Sequence, residues 1–112
     1  DRVQLLGPRD NPYAYMARAR ALLLSSDYEG FALVLAEALV CRTPVVSVDC
    51  PSGPSEILCH GLSDWLVPMH DRGAFADTIV RVVKHPPVIA DDQCDRFRLE
   101  HVVKRYLALK DY

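Results

Sequence analysis

Apolar residues along this chain fall into short blocks, and the blocks switch repeatedly between two kinds of spacing. Val3-Gln4-Leu5-Leu6 is a short apolar stretch that stops at Gly7-Pro8, which predicts a strand followed by a turn. Asn11-Pro12 offers a helix start, with Asn as N-cap and Pro at the first helical position. Tyr13, Met16, Ala17 and Ala19 follow at helical spacing up to Arg20. Ala21-Leu22-Leu23-Leu24 is then a continuous apolar run closed by Ser25-Ser26. A run without alternation suits a strand buried on both faces, as in a parallel sheet.

The loop from Asp27 to Phe31 leads into Leu33–Val40, where Leu, Ala and Glu favour helix. Thr43-Pro44 ends that helix, and Pro44 to Val48 predicts a strand rich in β-branched residues. Asp49 to Pro54 is loop chemistry, Ser55 to His60 a short helix, and Gly61 stands just beyond its end. Trp65 to Pro68 predicts a short strand. Asp71 caps a helix that runs through Phe75, Ile79, Val82 and Val83 and stops at Pro86-Pro87. A final helix is expected from about Gln93 to Leu109, with Phe97, Val102, Val103, Tyr106 and Leu107 as its apolar face. Asp91-Asp92 would cap that helix or favour its dipole. Strands alternating with helices predict an α/β fold, a Rossmann-like parallel sheet with flanking helices. About four strands are visible, against roughly six in a complete dinucleotide-binding sheet, so residues 1–112 are expected to form a single, incomplete domain lacking its N-terminal strands.

Composition narrows the chemistry. The chain has 112 residues and a formal net charge of −2, so nothing electrostatic favours nucleic acid or an anionic membrane as main partner. No apolar run approaches the ~18 residues needed to span a bilayer, and Asp1-Arg2-Val3-Gln4 is neither a signal peptide nor a Met start, which reads as a fragment. Cys41, Cys50, Cys59 and Cys94 form no C-x-x-C pair and have no histidine at zinc-finger spacing, so free thiols in a reducing cytosol are expected. The four histidines form no metal-ligand pattern, and no bound metal is expected.

The informative segment is Glu29-Gly30-Phe31-Ala32-Leu33-Val34-Leu35-Ala36-Glu37. Its two carboxylates flank seven residues, the first in a loop and the second inside a helix. The loop leaves the C-terminal end of a strand, where open α/β sheets bind ligands. Gly30 allows close backbone approach. The helix then offers unpaired N–H groups from about Phe31 to Val34, suited to an anion such as a diphosphate. Carboxylates are strong acceptors for sugar and ribose hydroxyls. Taken alone, two glutamates at this spacing are more simply a solvated loop residue and a solvated helix residue; the surrounding sequence changes that balance.

The segment resembles the E-x7-E signature of the retaining, family 4 (group 1) glycosyltransferases of GT-B fold. Leu5-Leu6-Gly7, Tyr13 and Ala19 resemble the strand and helix before the motif. Glu37-Ala38-Leu39 with Thr43-Pro44-Val45-Val46 resembles E-A-[LM]-x-x-G-x-P-V-V. Asp49 to Pro54 with Glu56-Ile57-Leu58 resembles a loop of bacterial members that build lipopolysaccharide or capsule. Leu66-Val67-Pro68 with Asp71, and Val102-Val103 with Tyr106-Leu107, resemble the remaining C-terminal elements.

The resemblance implies a C-terminal donor-binding domain of a GT-B enzyme. Glu29 would contact the transferred sugar as the catalytic residue, the amides of Gly30 and Phe31 would hold that sugar, and those of Leu33 and Val34 the diphosphate. Glu37 would bind the ribose hydroxyls, and Pro8 and Arg9 would lie near the nucleobase. The donor would be a UDP- or GDP-sugar, no cofactor or metal would be needed, and the acceptor would be a glycan or lipid-linked sugar bound by an absent N-terminal domain. The whole protein would be a hexosyltransferase of bacterial cell-surface polysaccharide synthesis. It would be cytoplasmic or held peripherally at the inner face of the cytoplasmic membrane. The fragment alone would be inactive.

Departures from the pattern are Ala32, where Gly is common, and Arg42, where Gly follows the helix and Arg would instead cap helix carbonyls. The family's diphosphate-neutralising Arg and Lys would lie upstream of Asp1. Trp65 reads as core, Tyr28 as either lining the cleft or packing, Asp27 as a turn residue, and Glu56 as structure near the cleft. Ser25 and Ser26 lack the glycines of a nucleophile elbow. Competing functions are a non-catalytic nucleotide-sugar-binding module or partner subunit, a nucleotide-sugar epimerase, and, less well supported, a flavodoxin-like phosphoacceptor, for which no acidic cluster follows a first strand.

Overall fold

A computed structural model of the chain describes residues 2–109. Three apolar runs become strands: β1 (Leu22–Leu24), β2 (Val45–Val48) and β3 (Leu66–Val67). They form one parallel sheet in the order β1-β2-β3, with Leu22 opposite Val45 and Ser47 opposite Leu66. The parallel arrangement requires crossovers. The first is α2 (Leu33–Val40); the second contains α3 (Pro54–Ile57) and a 3-10 turn at Ser63–Trp65. The expected α/β, Rossmann-like class is the one observed.

Core packing centres on α2 and β2. Leu35, Ala36, Ala38 and Leu39 of α2 are buried, as are Val45 and Val46 of β2. Burying a leucine fully stabilises by about 1.5–3 kcal/mol, so Leu35 and Leu39 anchor the helix firmly. Leu33 and Val40 remain on its outer face. A fourth helix, α4 (Arg72–Lys84), packs on β2 and β3 and buries Thr78 and Val82. Its N-cap is Asp71, whose carboxylate accepts the Ala74 N–H at 2.9 Å. Trp65 joins the core, as its sequence context predicts.

Several expectations need correction. Val3–Leu6 forms no strand; Val3 and Leu5 are exposed, because no strand edge among the described residues pairs with them. β1 is parallel but not buried on both faces: Leu23, between half-buried Leu22 and Leu24, points to the opposite face and is 48 % exposed. The first helix, α1 (Pro12–Met16), has the predicted Asn11 cap, accepting the Ala14 N–H at 3.3 Å, but ends before Arg20 in tight turns. The short helix after the Asp49–Pro54 loop starts at Pro54 and stops at Ile57, and Trp65 lies in the 3-10 turn ahead of β3. The expected final helix is two: α5 (Asp91–Asp95) and α6 (Leu99–Ala108). Between them Phe97 packs against the core, and Arg96 donates to Glu56 O and to the Cys59 thiol, contacts that hold the break between the two helices. Asp91 and Asp92 sit in the first turn of α5, which Ala90 caps, with Gln93 Oε1 accepting the Ala90 N–H. None of the expected apolar face on α6 is fully buried.

Candidate functional site

The site is built where β1 hands over to α2. Ala32, the N-cap of α2, lies in the left-handed region at φ 51° and ψ 45°, and its methyl side chain caps nothing. The Leu35 N–H turns back to Ala32 O at 2.9 Å. The amides of Gly30, Phe31, Ala32, Leu33 and Val34 donate to no protein acceptor among the described residues. Unpaired first-turn amides carry the positive end of the helix dipole, equivalent to roughly half a charge. They are therefore set to receive an anion or the oxygens of a polar ligand.

A carboxylate stands on each side of these amides, and each is held by a hydroxyl. Ser26 Oγ donates to Glu29 Oε1 at 2.7 Å, in the loop between β1 and α2. Tyr13 donates its phenolic O–H to Glu37 Oε1 at 3.2 Å, from α1 across to the middle of α2. That hydrogen bond and the charge on Glu37 raise the Tyr13 pKa above its ordinary value. Both glutamates are half-buried, and the second oxygen of each has no protein donor among the described residues. Glu37 is one turn beyond Leu33, about 6 Å along the helix axis at 1.5 Å per residue, and on the same face.

The second loop braces the first. Gly53 has φ +99°, and a side chain there would meet the Phe31 carbonyl carbon at 2.9 Å and the Ala32 nitrogen at 3.1 Å. Glycine is thus required twice, for the backbone angle and for the close approach. Cys50, buried in the same loop, has its thiol pKa pushed up by burial, with the charges of Glu29, Asp49 and Asp27 adding to the shift. The loops after β1 and β2 therefore converge at the C-terminal ends of the strands, the position at which open α/β sheets take ligands.

Two clefts flank this arrangement. One of about 350 Å³ lies along the outer face of α2, lined by Tyr13, Leu33, Ala36, Glu37, Val40, Cys41 and Phe97. The other, about 340 Å³, lies beside α4 at the strand ends and includes Ser25, Asp27, Val48, His70 and Arg72. Leu33 and Glu37 thus share a cleft wall, whereas Glu29, Gly30 and Phe31 line neither cleft. Pro8 and Arg9 are exposed and join neither cleft nor the hydrogen bonds of the site, so the structure does not bring them to Glu37. Tyr28 is 70 % exposed and lines neither cleft. Glu56 is exposed; its carbonyl accepts from Arg96 and Cys59 and its N–H donates to Gly53 O, while its carboxylate has no protein donor among the described residues.

Arg42 adopts the left-handed angle that its glycine-like position demands, φ +61°. Its guanidinium does not cap α2. It donates to Ile89 O at 2.6 Å and pairs with Asp91, tying the end of α2 to the segment before α5. Among the described residues no His, Cys, Asp and Glu group is placed to hold a metal ion. Among the described residues no helix is long and apolar enough to cross a membrane. Sequence reasoning missed Ser26, Tyr13 and Gly53 as parts of the site. Only Ser26, three residues before Glu29, carried a local signal.

Comparison with known proteins bears on the family of the chain. The family model described as glycosyl transferases group 1 matches residues 1–85. An exopolysaccharide phosphotransferase of Streptomyces coelicolor is 35 % identical over 113 residues, covering 95 % of the chain and 12 % of that protein. An N-acetyl-alpha-D-glucosaminyl L-malate synthase of Bacillus anthracis is 30 % identical over 113 residues, 95 % of the chain and 29 % of the relative. A D-inositol 3-phosphate glycosyltransferase of Mycolicibacterium vanbaalenii is 35 % identical over 114 residues, 96 % of the chain and 25 % of the relative. The chain therefore spans between 12 and 29 % of the length of these relatives. A family match over most of the chain, joined to a parallel sheet flanked by helices, shows that the chain belongs to the group 1 glycosyl transferases, with the Rossmann-like architecture of a GT-B domain.

Proposed function

We propose that this chain is the donor-binding part of a glycosyltransferase, holding a nucleoside-diphosphate sugar for transfer to a glycan or lipid-linked acceptor in bacterial cell-surface polysaccharide synthesis. The observation that carries this reading is the run of unpaired amides from Gly30 to Val34, set between two hydroxyl-held carboxylates. The amides of Leu33 and Val34 take the diphosphate, where the helix dipole favours negative charge. Those of Gly30 and Phe31 take hydroxyls of the sugar, and Glu29 accepts from that sugar close to the bond that breaks. Glu37 accepts the ribose hydroxyls. Pro8 and Arg9 reach the nucleobase only if the exposed segment that carries them moves toward the α2 cleft.

The relatives' names support placing the donor, rather than the acceptor, on this segment. One name specifies L-malate and another inositol 3-phosphate, yet both proteins share the segment with this chain over nearly its whole length. A segment common to enzymes with different recipients has the donor as its shared task. Transfer proceeds with retention of anomeric configuration and without a metal. Cations from elsewhere in the whole protein meet the charge that develops on the leaving diphosphate, and closure of a cleft between two domains excludes water.

The test is donor consumption by the full-length protein with UDP- and GDP-sugars, alongside calorimetry with UDP and GDP. Turnover that falls about a hundredfold or more in Glu29→Ala is expected, the scale of losing a group that stabilises the transition state. Unchanged turnover in that variant removes Glu29 from the chemistry. Binding without turnover of any donor makes the protein a nucleotide-sugar-binding module or partner subunit instead.

A further inference from the structure

We propose that Tyr13 is a positioning residue for Glu37: its hydroxyl sets the carboxylate so that the ribose hydroxyls of a nucleoside diphosphate are accepted in one geometry. This rests on the donor-binding reading above and names the residue that controls ribose recognition within it.

The case starts with α1. A five-residue helix does not hold itself in water. This one is fixed at both ends, by the Asn11 cap at its start and at its last residue by Thr43, whose buried Oγ1 donates to Met16 O at 2.5 Å. Pro12 at the first helical position limits the entry angle further. Yet α1 buries no residue, so its clamping is not explained by core packing. What it delivers is the Tyr13 hydroxyl, 3.2 Å from Glu37 Oε1.

The ring of Tyr13 is 48 % exposed and lines the same cleft as Glu37. A tyrosine has two side-chain torsions and a rigid ring, so it orders its partner with little freedom of its own. Glu37, with three torsions and half exposed, would otherwise sample several rotamers. With Oε1 held by Tyr13, Oε2 keeps its acceptor capacity and is fixed in direction. A pair of vicinal hydroxyls is a geometric target, so a fixed carboxylate discriminates for it better than a mobile one.

The experiment measures Kd of the full-length protein for UDP and GDP and for their 2′,3′-dideoxy counterparts. The readout is the ratio of the two, which reports ribose-hydroxyl recognition alone. Tyr13→Phe keeps the ring and removes the hydroxyl; Tyr15→Phe, on the same helix, is the control. The ratio is expected to fall about fivefold to tenfold in Tyr13→Phe, the scale of one hydrogen bond. It should stay put in Tyr15→Phe, and Tyr13→Phe should add nothing to the loss in Glu37→Gln. Melting temperatures identify any variant whose fold is altered, and for such a variant only the ratio, not the absolute affinity, is compared. A ratio unchanged in Tyr13→Phe but lost in Glu37→Gln overturns the role of Tyr13 and leaves the donor-binding reading standing. Failure of the unaltered protein to bind either nucleotide overturns both.

Discussion

Gly53 lies so close to Phe31 that a β-carbon on it would stand 2.9 Å from the Phe31 carbonyl carbon. The two residues belong to different loops, one after β1 and one after β2, and their backbone contact fixes where the free amides at the start of α2 point. Gly53→Ala is therefore expected to destabilise by roughly 2 kcal/mol or more, since the new methyl meets backbone rather than a flexible side chain and φ +99° strains any L residue. Nucleotide affinity should fall as well, and more than stability predicts, because the loop that carries Gly30 and Phe31 must shift. Denaturant titration and nucleotide calorimetry on the same variant check both.

Ala32 gives the opposite expectation. Its left-handed backbone costs an L residue about 1–2 kcal/mol, which Gly would relieve. Gly also adds unfolded-state entropy and loses a buried methyl, about 0.4–1 and 0.8 kcal/mol respectively. Ala32→Gly should thus leave stability within about 0.5 kcal/mol of the starting value. Ala38→Gly, at a fully buried and regular helical position of α2, has no strain to relieve and should cost about 2 kcal/mol.

Arg42 combines both effects. Arg42→Ala removes the bond to Ile89 O and the exposed pair with Asp91 while keeping the strained angle. A loss of about 1–2 kcal/mol is expected, mostly from the carbonyl contact, because exposed pairs contribute little. Arg42→Gly makes the same loss but relieves the angle, so its melting temperature should lie above that of Arg42→Ala.

The four thiols should separate by burial. Cys50 and Cys94 are buried, and burial is the main cause that pushes both thiol pKa values up. Iodoacetamide should label Cys41 and Cys59 well before Cys50 and Cys94, as read by mass spectrometry. The same shifts set a pH dependence. As pH rises above the ordinary thiol value of about 8.5, these two thiols ionise more readily unfolded than folded, so their contribution to stability is lost toward alkaline pH. Melting temperature should decline over that range, and less steeply in Cys50→Ala.

Much of this fold was legible because its signals are local. Asn11-Pro12 and Asp71 mark helix starts through contacts three residues long, and the apolar runs at Leu22–Leu24 and Val45–Val48 mark strands by residue type. Glu29 and Glu37 stood out through the resemblance of the surrounding sequence to the E-x7-E pattern, since their spacing alone reads as two solvated glutamates. Val3–Leu6 differs from its reading because its residues pair with no strand among the described residues and stay exposed, so strand propensity alone does not make a strand. The last helix was misread because Phe97 and Arg96 answer to the core and to the segment near Cys59, not to their own helix. Tyr13 and Gly53 were invisible as site residues because their partners lie 24 and about 22 positions away, and no local pattern encodes such contacts.

The measurement that bears most directly on the site is amide chemical-shift mapping as UDP or GDP is added to the isotopically labelled protein. The amides of Gly30, Phe31, Leu33 and Val34 are expected to move most, with Tyr13 and Glu37 following and the residues around His70 and Arg72 unchanged. Shifts confined to the cleft beside α4, or none at Leu33 and Val34 at saturating nucleotide, would contradict donor binding at the start of α2.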